Sequence, residues 1–138
     1  HEEFAGGEIF EQEGAGKEVE AFDMNVFYHN RSQREDVDHT FCGSAMELAG
    51  EVDFLCVSCP GGAKTHHLVN TGVLSALGPD GVLINVARGG VVDEAALYAA
   101  LTNGTIANAA IDVWWGWPDI GAGQRECLTY LLHPLNGT

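Results

Sequence analysis

The most restrictive feature of this sequence is an alternation that begins at Val52, in which short apolar runs are separated by stretches with helical spacing. Asp53-Phe54-Leu55-Cys56-Val57 is a compact β-rich run, and Asn70 predicts the N-cap of a helix carrying Val73, Leu74 and Leu77. Gly81-Val82-Leu83-Ile84-Asn85-Val86 predicts a second buried strand. Asp93 then caps a helix with Ala96, Leu97, Ala100 and Leu101 at helical spacing, and Gly104 stops it. Ile106 to Val113 reads as a third strand and Leu128-Thr129-Tyr130-Leu131-Leu132 as a fourth. Strands that are apolar on both faces need cover on both faces, and helices between them supply it. The pattern therefore implies a parallel sheet of the doubly wound α/β type.

The first fifty residues are less regular. Met24-Asn25-Val26-Phe27-Tyr28 is a good strand, and Ser44-Ala45-Met46-Glu47 is a capping box that opens a short helix. Between Gly7 and Phe22 the pattern is poor: Ile9-Phe10 is a strand stub, followed by mixed glycine and acid. The acid is concentrated here, with 14 Asp and Glu against 3 Lys and Arg in residues 1–53, compared with 6 against 3 in residues 54–138. The whole chain carries a formal charge of −14. Such a field repels phosphate backbones and anionic headgroups, so neither nucleic acid nor membrane is an expected partner.

A length of 138 residues suits one domain, and a 46% hydrophobic content excludes disorder throughout. No apolar run approaches the roughly 20 residues that span a bilayer, and the N-terminus lacks the basic start of a signal peptide. A soluble, cytoplasmic chain is expected. Cys42, Cys56, Cys59 and Cys127 are accordingly taken as thiols, with the C-x-x-C at Cys56 read as buried strand-end thiols. His66 and His67 read as a segment approaching a helix, and no metal site is expected. The chain starts at His1 and stops at Thr138 with no finishing element, which reads as a fragment.

Specific blocks carry a family likeness. Cys59-Pro60, Thr65-His66-His67-Leu68-Val69-Asn70, Asn85-Val86-Ala87-Arg88-Gly89-Gly90-Val91-Val92-Asp93-Glu94 and Ala110-Ile111-Asp112-Val113 stand in order along the chain. Together they resemble the nucleotide-binding domain of the D-isomer-specific 2-hydroxyacid dehydrogenases, most strongly over residues 51–118. Phe22 to Ser32 resembles the second strand of the glyoxylate and hydroxypyruvate reductase branch. The resemblance implies a Rossmann-like domain over residues 1–138 with the substrate domain absent. It also implies a nicotinamide cofactor, a short 2-oxo or 2-hydroxy acid as substrate, and a homodimer.

On this resemblance, Arg88 clamps the substrate carboxylate, for which a fixed cation with forked donors is suited. His133 gives a proton to the carbonyl oxygen, as a group whose pKa lies near working pH can; the bland reading is an idle loop histidine. Asp112 lies at the nicotinamide end of the cofactor. The remaining cofactor-binding residues are Gly14, Ala15, Gly16, Asn30, Arg31, Ser32, Cys59, Pro60, Val86, Ala87 and, again, Arg88. Tyr28-His29-Asn30-Arg31-Ser32 ends the second strand without an acid for a ribose 2′-hydroxyl and with an arginine for a 2′-phosphate. NADP is therefore expected ahead of NAD.

Three departures favour a rival reading. Trp117 stands before Pro118 where the family places the glutamate that partners the catalytic histidine. Aligning Gly16 with the third glycine of the dinucleotide fingerprint puts Glu13 and Glu11 at the other two, where each would face a diphosphate at a cost of about 4 kcal/mol at an effective dielectric of 20. Trp114-Trp115-Gly116-Trp117 offers an exposed partner patch. The rival is a non-catalytic nucleotide-sensing or interaction module, or a decayed dehydrogenase copy.

Overall fold

A computed structural model of the chain describes residues 3–7 as backbone, residues 24–113, and Trp115. The strands among the described residues are β1 (Glu3–Gly7), β2 (Asn25–His29), β3 (Thr40–Phe41), β4 (Phe54–Val57), β5 (Val82–Asn85) and β6 (Asn108–Ile111). The helices are α1 (Ala45–Glu51), α2 (Thr71–Leu77) and α3 (Glu94–Asn103). All strand pairs are parallel, in the order β3-β2-β1-β4-β5-β6. The chain steps outward from β1 to β3, then crosses back to β4 and continues the other way. The sheet is thus doubly wound, with its topological switch point between β1 and β4.

Local sequence explains most of these elements. Ser44 Oγ accepts from the Glu47 N–H at 3.1 Å and caps α1; the Glu47 carboxylate reaches back to the Gly43 N–H at 2.8 Å. Asn70 accepts from the Val73 N–H at 3.1 Å and Asp93 from the Ala96 N–H at 3.1 Å, so both expected caps form. Gly104 ends α3 at φ 77°, a left-handed conformation in which any side chain would be strained.

The core lies between the helices and β4 to β6. Leu55, Leu83 and Ala109 form one lateral row by register, all buried, with Leu74, Leu77, Leu97 and Ile106 also in the core. From β3 onward each crossover to the next strand moves in the same direction. Right-handed connections then place α1, α2 and α3 on one face, where α1 packs on α2 and α2 on α3.

Four differences from the sequence reading have physical reasons. The first strand is Glu3–Gly7, earlier than the Ile9-Phe10 stub, which lies outside the described residues. This position leaves residues 8–24 for the crossover to β2, a connection that needs a dozen residues or more. Strand β6 spans only Asn108–Ile111, because Ile106 is in the core ahead of it with its N–H turned to the Ala100 carbonyl. Strand β3, two residues long, is too short for periodicity to reveal; Phe41 packs edge-on against Tyr28 with ring centroids 5.4 Å apart.

Finally, Trp115 is not part of an exposed patch. It is only 9% exposed, and its indole N–H donates to the Val92 carbonyl at 2.8 Å. An indole that finds both apolar neighbours and a carbonyl acceptor is drawn into the core. Trp114, Trp117 and the expected strand at 128–132 lie outside the described residues.

Candidate functional site

Two groups of residues occupy the carboxyl edge of the sheet. The first surrounds a cavity of about 440 Å³ beside the ends of β2 and β4. Its apolar lining includes Leu48, Leu55, Val57, Leu68 and Val69, and its polar lining includes His29, Asn30, Arg31, Lys64 and Thr65. Cys59 and Pro60 also line it, so four of the expected cofactor-binding residues meet there. No Asp or Glu lines it among the described residues.

Local bonds hold the β2 side of this cavity. The hydroxyl of buried Tyr28 accepts from the Arg34 N–H at 2.8 Å and donates to the Arg34 carbonyl at 3.2 Å, which clamps the loop that carries Arg31. Asn30, itself buried, accepts from the Arg31 N–H at 2.7 Å through its side-chain oxygen. His29 Nδ1 lies 2.9 Å from the Cys42 carbonyl oxygen, which requires Nδ1 to carry the proton. Asp36 takes its ion pair from Arg34, and that guanidinium holds its carboxyl below the usual range. Arg31 and Ser32 are exposed; Ser32 is not among the cavity-lining residues.

On the β4 side, Cys59 is buried and Pro60 starts an exposed loop. Thr65 closes that loop, donating its hydroxyl to the Pro60 carbonyl at 2.6 Å and its N–H to the Gly62 carbonyl at 3.2 Å. Cys42, Cys56 and Cys59 are free thiols. Burial pushes the Cys56 thiol up, so it stays protonated at neutral pH rather than serving as a thiolate ligand or nucleophile.

The second group lies beyond β5 and β6. Asn85, at the end of β5, is fully buried. Its side-chain oxygen accepts from the Ala87 N–H at 3.0 Å and its amide donates to the Arg88 carbonyl at 3.0 Å. Its own carbonyl accepts from the Asp112 N–H at 3.0 Å. One residue therefore shapes the turn that presents Arg88 and ties down the backbone of Asp112 on the next strand. Arg88 and Asp112 are both exposed at the edge, Ala87 is buried and Val86 is 47% exposed. The Arg88 guanidinium folds back to the Ala87 carbonyl at 2.7 Å.

The two groups meet at Gly61, where an added Cβ would stand 2.7 Å from Arg88 Cγ. The absent side chain lets the Arg88 stem lie against the β4 loop. Sequence reasoning assigned no role to Asn85, Gly61 or Lys64. For Asn85 a signal was present: a polar residue ends an otherwise apolar strand, in register with Val57 and Ile111.

His66 and His67 lead toward the α2 cap. Their rings stack at 3.8 Å, His67 takes φ 52°, and its N–H donates to the Gly90 carbonyl at 2.8 Å. The described residues hold no cluster of three metal-ligating side chains, and no helix among them is long and apolar enough to cross a membrane. Gly14, Ala15, Gly16, Glu11, Glu13 and His133 lie outside the described residues.

Residues 13–124 match the family model described as D-isomer specific 2-hydroxyacid dehydrogenase, NAD binding domain. Hydroxyphenylpyruvate reductase of Plectranthus scutellarioides is 43% identical over 102 residues, covering 74% of this chain and 33% of that protein. Glyoxylate/hydroxypyruvate reductase A of Arabidopsis thaliana is 40% identical over 104 residues, covering 75% and 33%. The chain thus spans about a third of the length of these curated relatives. Among solved structures, it is similar to the NADPH-dependent glyoxylate/hydroxypyruvate reductase of Sinorhizobium meliloti in complex with NADP and malonate. There the TM-score is 0.81 and the identity 43%, over 89% of this chain and 39% of that one. The D-lactate dehydrogenase of Aquifex aeolicus complexed with NAD and lactic acid gives a TM-score of 0.74 at 27% identity, over 83% and 38%.

Proposed function

Because this chain belongs to the D-isomer specific 2-hydroxyacid dehydrogenase family, as its NAD binding domain, we propose that it is the cofactor-binding part of an NADP-dependent reductase of short 2-oxo acids, of glyoxylate or hydroxypyruvate type. The observation that carries the cofactor choice is the cavity at the ends of β2 and β4, lined by Arg31 and Lys64 and, among the described residues, by no carboxylate. In a chain of net charge −14, that combination favours an anionic ligand. The cavity volume and apolar lining suit a nucleoside moiety, and the site lies at the sheet edge where doubly wound folds bind ligands. The residues present therefore fit a dinucleotide with a 2′-phosphate.

When bound, the nicotinamide supplies or accepts hydride at the 2-carbon of the substrate. Arg88, presented by the Asn85 turn, orients the substrate carboxylate through paired donors. Asp112, just past the end of the neighbouring strand, would help hold the nicotinamide end of the cofactor. His133 would donate a proton to the carbonyl oxygen of the substrate. A cytoplasmic setting and a homodimer belong to the same proposal, as does the exclusion of nucleic acid and membrane by the acidic field.

The test is a titration of the purified chain with NADPH and with NADH, followed by nicotinamide fluorescence, with circular dichroism confirming the fold. Micromolar binding with a preference for NADPH is expected. Equal affinity for the two would overturn the NADP assignment. A folded chain that binds neither would leave the non-catalytic reading in its place.

A further inference from the structure

We propose that Lys64 is a specificity-determining residue that supplies, opposite Arg31, the second cation for the 2′-phosphate of NADP; this rests on the cofactor reading above. Both residues line the same cavity, yet they come from different loops, Arg31 following β2 and Lys64 following β4. They are two of only six Lys and Arg residues in the chain. A 2′-phosphate carries up to two negative charges, and one guanidinium leaves it undercompensated in the field of an acidic protein. A lysine on a flexible stem adds a point charge without demanding a fixed approach angle.

The loop holds Lys64 at this rim by construction. Thr65 bonds back to Pro60 and Gly62, so the segment forms a closed turn against the end of β4. Lys64 is exposed and its charge is not needed by the core, whose members lie elsewhere. The charge is therefore available to a ligand.

The experiment measures NADPH and NADH affinities, by nicotinamide fluorescence, for the chain as it stands and for Arg31→Met, Lys64→Met and the double variant, each checked by circular dichroism. Lys64→Met is expected to weaken NADPH about tenfold, the scale of one charge-assisted contact, and to change NADH less than about twofold. If both cations address one phosphate, the double variant will fall short of the product of the single effects. Equal weakening of both dinucleotides, or an unchanged NADPH affinity, would overturn the role of Lys64. A parent chain with no NADPH preference would instead overturn the cofactor reading, and the proposal with it. Loss of preference in Arg31→Met but not in Lys64→Met would leave that reading standing and remove Lys64 alone.

Discussion

Along the carboxyl edge, the β2–β4 side is a hollow whose cations stand on loops, whereas the β5–β6 side is a turn closed around the fully buried amide of Asn85. The hollow offers volume and charge, which suit gripping a ligand of variable pose. The turn offers fixed direction, which suits aligning a reacting group. On the hollow side, Lys64 stands on an exposed loop outside the core. On the turn side, the residue that aims Arg88 is also part of the structure.

The sharpest way to break this contrast is Asn85→Ala. It would leave the buried Ala87 N–H without its partner and take one of two donors from the Arg88 carbonyl, which keeps the Val91 N–H at 3.2 Å. A loss of about 2–3 kcal/mol in urea unfolding is expected, from one orphaned N–H at the usual desolvation cost and one further lost hydrogen bond. Lys64→Ala on the exposed rim should stay within about 0.5 kcal/mol. If the two variants lost similar stability, the division between a structural turn and an exposed rim would fail.

Gly61→Ala probes where the two sides touch. The new methyl would press on Arg88 Cγ at 2.7 Å and Cβ at 3.2 Å, atoms too near the backbone to swing clear without a rotamer change. The expected cost is about 1–2 kcal/mol of overpacking. The guanidinium should also leave the Ala87 carbonyl, a shift readable in the Arg88 Nε–H resonance or in a crystal structure of the variant. An unmoved Arg88 would show that the β4 loop yields instead, and that Gly61 does not set the position of the arginine.

Much of this arrangement was legible in the sequence because it depends on local chemistry. The caps Ser44, Asn70 and Asp93 and the stop at Gly104 follow from hydrogen bonds and conformations made within a few residues. Strands β4 and β5 showed themselves by continuous apolar runs, although only alternate residues are fully buried, Leu55 and Val57 on β4 and Leu83 and Asn85 on β5. The reading failed where the decisive partner is distant. The burial of Trp115 depends on Val92, 23 residues earlier, and no local pattern announces it. The place of Gly61 depends on Arg88, and the pairing of Arg31 with Lys64 around one cavity depends on β1 standing between β2 and β4. Motif likeness named Arg88 and Asp112 as single residues, but only the register of β5 with β6 shows that Asn85 links them.

The smallest expected effect tests the hollow from inside. Cys56 lies on β4 and lines the cavity, and burial pushes its thiol above the ordinary value. Between the two values the folded chain holds a proton that the unfolded chain has released, so stability must fall as pH rises. The contribution is fully present below about pH 8.5, where an unfolded thiol is still protonated, and is lost as pH climbs through the folded value. Cys56→Ala removes that dependence at the fixed cost of a missing sulfur. The stability advantage of the parent chain over this variant, measured by urea unfolding, should therefore shrink between pH 7.5 and pH 10. For one group the slope cannot exceed about 1.4 kcal/mol per pH unit. Cys42, pushed up by burial and then by Glu47 and Glu51, is present in both proteins and cancels. An advantage that held constant to pH 10 would mean that water reaches the Cys56 thiol, and that the β4 wall of the hollow is wetter than its aliphatic lining implies.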